Sequence, residues 1–288
     1  MMPWPDKTRP TPRKFFLFDK SILCPKIAAM TANKPDTKWD DAEIALSNMT
    51  PDTKFVFDRM TEATIAAVDA RPGEEVMDLA CGRAVDAFKI ALSGALVFGL
   101  ESSEIMLRKG LEWMGPDQTH PVVLLRSLAE SLPLKDKSLD KLLCKGAIDH
   151  FADVDSALRE AARVLRPGGK LIISVANFES LSCKLGRVYD FFFAKLKGRN
   201  RTEHPSYLPP DDHNFKFTAA FLAQKLKPLF EIQALTGLSL LWCFPNWGAL
   251  LQKLSPKSQE AILRFLDRIA RTFPALSDVL VAKAVARK

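Results

Sequence analysis

Cysteine is sparse in this chain. Cys24, Cys81, Cys144, Cys183 and Cys243 form no Cys-x-x-Cys pair and no Cys/His group. A disulfide framework and a zinc site therefore have no support, no metal ligands are assigned, and a reducing, cytoplasmic setting is expected. No apolar run approaches the roughly 18 residues that span a bilayer. The short run Phe15 to Phe18 is interrupted by Asp19 and Lys20, so it does not make a signal-peptide core. Internal repeats and low-complexity tracts are also absent. What remains is an ordinary globular mixture, 47% hydrophobic and 26% charged over 288 residues, long enough to bury a substantial core.

The formal net charge is +7, and its location matters more than its size. Lys7, Arg9, Arg13, Lys14, Lys20, Lys26, Lys34 and Lys38 crowd the first stretch. Lys184, Arg187, Lys195, Lys197, Arg199 and Arg201 form a second cluster. Both read as solvated surface, with an anionic substrate, a membrane surface or nucleic acid as the other readings. Prolines at 3, 5, 10, 12, 25 and 35 mark residues 1–38 as a disordered or loosely attached leader, with Met30 as an alternative start. Residues 39–288 are then expected to form one domain.

From Lys54 onward, helical spacing alternates with short apolar runs. Helices are expected over 55–70, 86–92, 103–114 and from Asp155 or Ser156 to Leu165. Strands are expected over 75–79, 95–100, 121–126, 139–144 and 171–175. Such alternation implies parallel pairing through right-handed crossovers, hence a doubly wound sheet. Beyond residue 175 the alternation breaks. Helices over 181–196, 217–226 and 258–272 surround strands at 231–235 and 279–286. Segments 176–216 and 237–277 are thus expected to be insertions, after the fifth strand and before the last.

In open α/β sheets a ligand sits at the carboxyl ends of the strands, where the strand order reverses. The first strand ends in Asp78-Leu-Ala-Cys-Gly82-Arg-Ala84, a small-residue turn that lets backbone approach a ligand, with Asp78 placed to meet an ammonium. Glu101 ends the second strand, where a carboxylate can accept hydrogen bonds from both hydroxyls of a ribose.

Four segments, in order, resemble the class I S-adenosylmethionine-dependent methyltransferases, in particular the type-11 small-molecule group. Glu-Val-Met-Asp-Leu-Ala-Cys-Gly (75–82) is similar to their first motif, Val-Leu-Asp-Leu-Gly-Cys-Gly. Gly99-Leu-Glu-Ser-Ser-Glu-Ile-Met-Leu107 resembles their Gly-x-Asp-x-Ser-x-x-Met-Leu segment. Ala129-Glu-Ser-Leu-Pro-Leu134 with Asp136-Lys-Ser-Leu-Asp140, and Ala157 to Leu171 with its Arg166-Pro-Gly-Gly169 approach, complete the series. The resemblance implies a Rossmann-like seven-stranded sheet with the last strand antiparallel, and S-adenosylmethionine as cofactor, leaving S-adenosylhomocysteine. It assigns Asp78, Ala80, Cys81 and Gly82 to the methionine part, Glu101 to the ribose, Ser102, Met106, Leu128 and Ala129 to the adenine, and Lys145 and Gly146 to the border of the methionine. The family usually has glycine where Ala80 and Ala84 stand, and many members have aspartate where Leu128 stands. A left-handed alanine would cost about 1–2 kcal/mol.

Methyl transfer from a sulfonium needs alignment and exclusion of water more than a nucleophile. Where a base is needed, His150 in Asp149-His-Phe151 is the preferred catalytic residue; His213 is a weaker candidate, and His120 and His204 read as loop residues. Phe191, Phe192, Phe193, Trp242, Phe244 and Trp247 are expected to line an acceptor pocket built by the insertions. They imply a small hydrophobic or aromatic acceptor, with peripheral membrane contact through the basic flank at 195–201. A non-catalytic cofactor-binding protein is the alternative. A nucleic-acid methyltransferase lacks support, since Cys144-Lys-Gly-Ala147 stands where base-modifying enzymes carry Asn/Asp-Pro-Pro-aromatic. A nicotinamide dehydrogenase lacks its Gly-x-Gly-x-x-Gly turn.

Overall fold

Short apolar runs that alternate with helices are too hydrophobic to face water on either side, and they collect into one sheet covered on both faces. The computed structural model describes residues 33, 35–41, 49–115, 122–197, 207–208, 213–242 and 244–287. Seven strands are present among them: β1 (Glu75–Leu79), β2 (Leu96–Glu101), β3 (Val122–Arg126), β4 (Leu139–Lys145), β5 (Leu165–Ala176), β6 (Phe230–Leu238) and β7 (Val279–Ala286). The order across the sheet is β3-β2-β1-β4-β5-β7-β6, with β1 to β5 parallel and β7 antiparallel to both neighbours. This is the doubly wound arrangement expected, and its order reverses between β1 and β4.

The helices are α1 (Pro51–Val68), α2 (Val85–Ala91), α3 (Glu104–Met114), α4 (Val154–Val164), α5 (Leu181–Lys197), α6 (Ala219–Leu226), α7 (Trp247–Gln252) and α8 (Pro256–Thr272). The period-2 alternation of strand side chains sorts the core into two layers. Met77, Leu79, Leu142, Cys144, Leu171 and Ile173 pack with Leu158 and Ala161 of α4 and Leu222 of α6. Val76, Val97, Leu143 and Ile172 pack on the other face with Val56 and Met60 of α1 and Ala87 and Ile90 of α2. Asp78, Glu101 and Lys145 share the parity of this second face, so all three reach the strand ends on the side where α1 and α2 lie.

Three local expectations are corrected. The cap of α4 is Asp153, whose carboxylate accepts from the backbone N–H of Asp155 and Ser156 at 3.0 Å each, where Asp155 or Ser156 was expected. Strand β5 begins at Leu165, six residues before the expected start. Leu165 pairs with Leu139, and an irregularity in register then absorbs exposed Pro167 and Gly168. Arg166 ties this bulge to Glu75 (2.5 Å) and Asp140 (2.7 Å). Strand β6 is longer at both ends than the expected 231–235.

No helix of the described residues is long and apolar enough to cross a membrane. Residues 1–32, which make up most of the expected leader, and His120, His204, Arg199, Arg201 and Cys243 lie outside the described residues.

Candidate functional site

The turn after β1 is built from alternating left-handed residues: Ala80 (φ 57°), Gly82 (φ 55°) and Ala84 (φ 59°). Both alanines therefore occupy conformations that suit glycine, at about 1–2 kcal/mol each. The surroundings over-determine the turn. Cys81 N–H donates to the Leu100 carbonyl (3.0 Å), Ala84 N–H to the Cys81 carbonyl (2.8 Å) and Gly82 N–H to Glu101 Oε2 (2.9 Å). Ala84 is also fully buried, so its methyl group contributes to the core.

Glu101 organises the site. Its Oε1 accepts from the backbone N–H of Ser102 (2.8 Å) and Ser103 (2.9 Å), while among the described residues Oε2 takes one backbone donor, the Gly82 N–H. An ionised carboxylate offers about four acceptor sites, so Oε2 retains capacity toward the cavity. Ser103 in turn caps α3, which packs so closely that a Cβ on Gly110 would stand 3.0 Å from the Arg83 carbonyl oxygen.

Asp78 is wholly buried at the end of β1. Burial, and then the negative charge of Asp86, push its carboxyl up to about 8. Lys145 works against this from the end of β4; it forms an ion pair with Asp86 and donates to Thr61 Oγ1 at 2.9 Å, linking β4 to α2 and α1.

These groups surround one cavity of about 400 Å³, within the range of small-molecule sites. Asp78, Ala80, Cys81, Gly82, Glu101, Ser102, Met106, Leu128, Ala129, Lys145, Gly146 and His150 all line it. The chain as a whole carries an excess of positive charge, yet among the described residues six acidic side chains (Asp36, Asp41, Asp86, Glu101, Glu130 and the proton-retaining Asp78) face three cationic ones (Arg83, Lys89, Lys145) around the cavity. That balance suits a cationic ligand.

Several of these residues escaped sequence reasoning. Glu130 stands inside a quoted motif; its Oε1 accepts from Ala152 and Asp153 N–H (2.9 and 3.1 Å) and so holds the loop that carries His150. Thr61 reaches the site only because α1 folds back over β4. Asp36, Trp39 and Asp41 close the cavity's edge. Arg83 and Lys109 bind Asp41 (2.6 and 3.0 Å), Ser103 Oγ donates to the Trp39 carbonyl (2.7 Å) and Ser102 Oγ to that of Asp36 (2.8 Å). Pro35 and Asp36, inside the expected leader, thus sit at the site.

Among the described residues, none of 176–216 or 237–277 lines this cavity, whose described lining runs from Pro35 to Ala152. Trp242 donates to Thr53 Oγ1 (3.2 Å) and lies edge-on to Phe57, and Trp247 packs with Phe55, Leu251 and Leu263. These aromatics bury the outer face of α1.

A family profile described as "Methyltransferase domain" matches residues 77–173. Over those residues the chain is similar to methyltransferase domains. The Thermobifida fusca demethylmenaquinone methyltransferase is 38% identical over 112 residues, 39% of this chain and 48% of that protein. An uncharacterized 37.1 kDa protein of transposon TN4556 from Streptomyces fradiae is 35% identical over 119 residues, 40% of this chain and 34% of that protein. The chain thus spans less than half the length of these curated relatives. Among solved structures, the methyltransferase bound by the Haloferax volcanii Trm112 activator superposes with a TM-score of 0.55 at 19% identity, covering 88% of this chain and 99% of that one. The donor set around the cavity fits S-adenosylmethionine: a carboxylate with spare acceptor capacity suits a ribose, and buried acids suit an ammonium and a sulfonium.

Proposed function

We propose that this chain transfers the methyl group of S-adenosylmethionine, by in-line displacement, to a small hydrophobic or aromatic acceptor. The carrying observation is the cavity at the switch point, where acidic side chains outnumber basic ones in an otherwise basic chain. In this reading Glu101 holds the ribose hydroxyls through Oε2. The strained turn from Ala80 to Ala84 leaves room for the methionine part, and Asp78 ionises against its ammonium. Met106, Leu128 and Ala129 supply apolar contact for the adenine, while Lys145 and Gly146 border the methionine part.

When bound, the cofactor supplies the electrophilic methyl carbon, so the protein's contribution is alignment and exclusion of water. His150, Phe151, Ala147 and Ala152 form the end of the cavity beside the 3-10 turn Ile148–His150. An aromatic, an imidazole and two methyl groups favour a flat acceptor with an ionisable hydroxyl, and the demethylmenaquinone methyltransferase relatives support that choice. Incubation with methyl-labelled S-adenosylmethionine and a set of quinols, simple phenols and fatty acids tests it. Label should pass to the quinols or phenols in step with S-adenosylhomocysteine formation; exclusive labelling of the fatty acids, or of none, would overturn the acceptor class.

A further inference from the structure

The turn after β4 and the segment before α6 are joined by four hydrogen bonds beside the cavity. Asn214 and Phe215 N–H both donate to the Asp149 carbonyl (2.8 and 3.1 Å), and Asn214 Nδ2 donates to the carbonyls of His150 (2.8 Å) and Phe151 (3.2 Å). This stitching brings His213 onto Asp149, with Nδ1 3.0 Å from Oδ2, while His150 Nε2 stands 4.0 Å from Oδ1. The two imidazole rings are 4.3 Å apart, and one ligand atom from each of the three residues lies within 4.8 Å of the others. Asp149 is 3% exposed, and its Oδ1 is buried without a hydrogen-bond partner. A buried carboxylate oxygen left in that state is costly unless a cation serves it.

We propose that Asp149, His150 and His213 bind a divalent transition-metal ion of the zinc class. Two imidazoles and one carboxylate form the three-ligand set of open, catalytic metal sites, in which the remaining position takes water or substrate. Ligands at about 2.0–2.1 Å from a tetrahedral ion stand roughly 3.3 Å apart. The Asp149–His213 pair at 3.0 Å lies close to that spacing, and His150 Nε2, 4.0 Å from Oδ1, would move inward to complete the set. His150 lines the cavity, so the open position faces the acceptor end, a placement that rests on the methyltransferase reading above. An acceptor hydroxyl bound there would ionise below its ordinary pKa. The site is hidden in the sequence because its third ligand comes from beyond α5.

The test uses the untagged full chain, stripped with a chelator and titrated with cobalt(II) while visible absorption is followed. The expected result is a saturable band at about one ion per chain, displaced by zinc, with His150→Gln and His213→Gln each weakening it by about tenfold or more. Far-UV circular dichroism identifies a variant that has lost its fold; the wild-type titration then decides alone. No saturable band in the wild type, or equal binding in wild type and folded variants, overturns the proposal and leaves a close His–Asp contact. Calorimetry with S-adenosylhomocysteine on the metal-free chain separates the two readings. Absent cofactor binding sinks the methyltransferase assignment alone, and cofactor binding without cobalt binding sinks the metal site alone.

Discussion

The half of the molecule up to β5 and the half beyond it differ in what their apolar residues do. Before residue 176, strand and helix residues alternate into two buried layers, and the polar groups left over converge on one cavity. Beyond it, Phe217 and Phe230 join the core, but the other aromatic residues largely brace α1 or face solvent: Phe191 and Phe192 are exposed on α5, and Phe265 on α8. Among the described residues, the later half touches the chemistry only through the segment around His213. The cavity therefore belongs to the first half, and the second half buttresses it.

Two glycines break this comparison most sharply. A Cβ on Gly237 would lie 2.3 Å from the Ala270 carbonyl oxygen, forcing α8 off β6, whereas one on Gly110 would press on the Arg83 backbone at 3.0 Å. Gly237→Ala should destabilise the chain by about 1–3 kcal/mol or more, with cofactor affinity retained in the folded fraction. Gly110→Ala should lose less stability and more affinity, because it displaces the turn itself. Denaturant melts paired with calorimetry read both; equal affinity losses would mean that the halves are not separable in this way.

A pH series sharpens the electrostatic side. Asp78, raised to about 8 by burial and by Asp86, keeps its proton in the folded chain where the unfolded chain has lost it above about pH 4. The folded state thus binds more protons between these values, and stability should fall as pH rises through that window. Asp278 in the later half, raised to about 7 by burial, acts with the same sign over a narrower range. A cofactor ammonium favours ionised Asp78, so affinity should climb by up to about tenfold per pH unit and level off near pH 8. Asp78→Asn should remove that slope; a wild-type affinity that is flat from about pH 6 to 9 would contradict the assignment.

The smallest effect is the most local. At φ 57° and only part-buried, Ala80→Gly should gain up to about 1 kcal/mol of stability. At Ala84 the relief is offset by loss of a buried methyl, about 0.8 kcal/mol, so the change should be near zero. A destabilised Ala80→Gly in thermal melts would mean that the methyl at position 80 makes contacts outweighing its strain.

The parallel strands and the turn after β1 were legible because each is written locally, as apolar runs ended by small residues and an acid. The left-handed state of Ala80 and Ala84 was posed by the sequence only as a condition, since alanine does not signal positive φ. Thr61, the Trp39 edge and the meeting of His213 with Asp149 were not legible, because each depends on which helix or loop folds back over the strand ends. The bracing contacts of Trp242 and Trp247 were not legible for the same reason: an aromatic that covers a helix and one that lines a pocket look alike in sequence.

The central claim is that this cavity holds S-adenosylmethionine with Glu101 on its ribose. Titration calorimetry of S-adenosylhomocysteine into the wild type and Glu101→Gln tests it most directly. The wild type should bind with about one site per chain, and the variant should lose about 1.5–3 kcal/mol, roughly ten- to 150-fold, for the charged hydrogen bonds removed. No heat of binding in the wild type, or equal affinity in the variant, would contradict it.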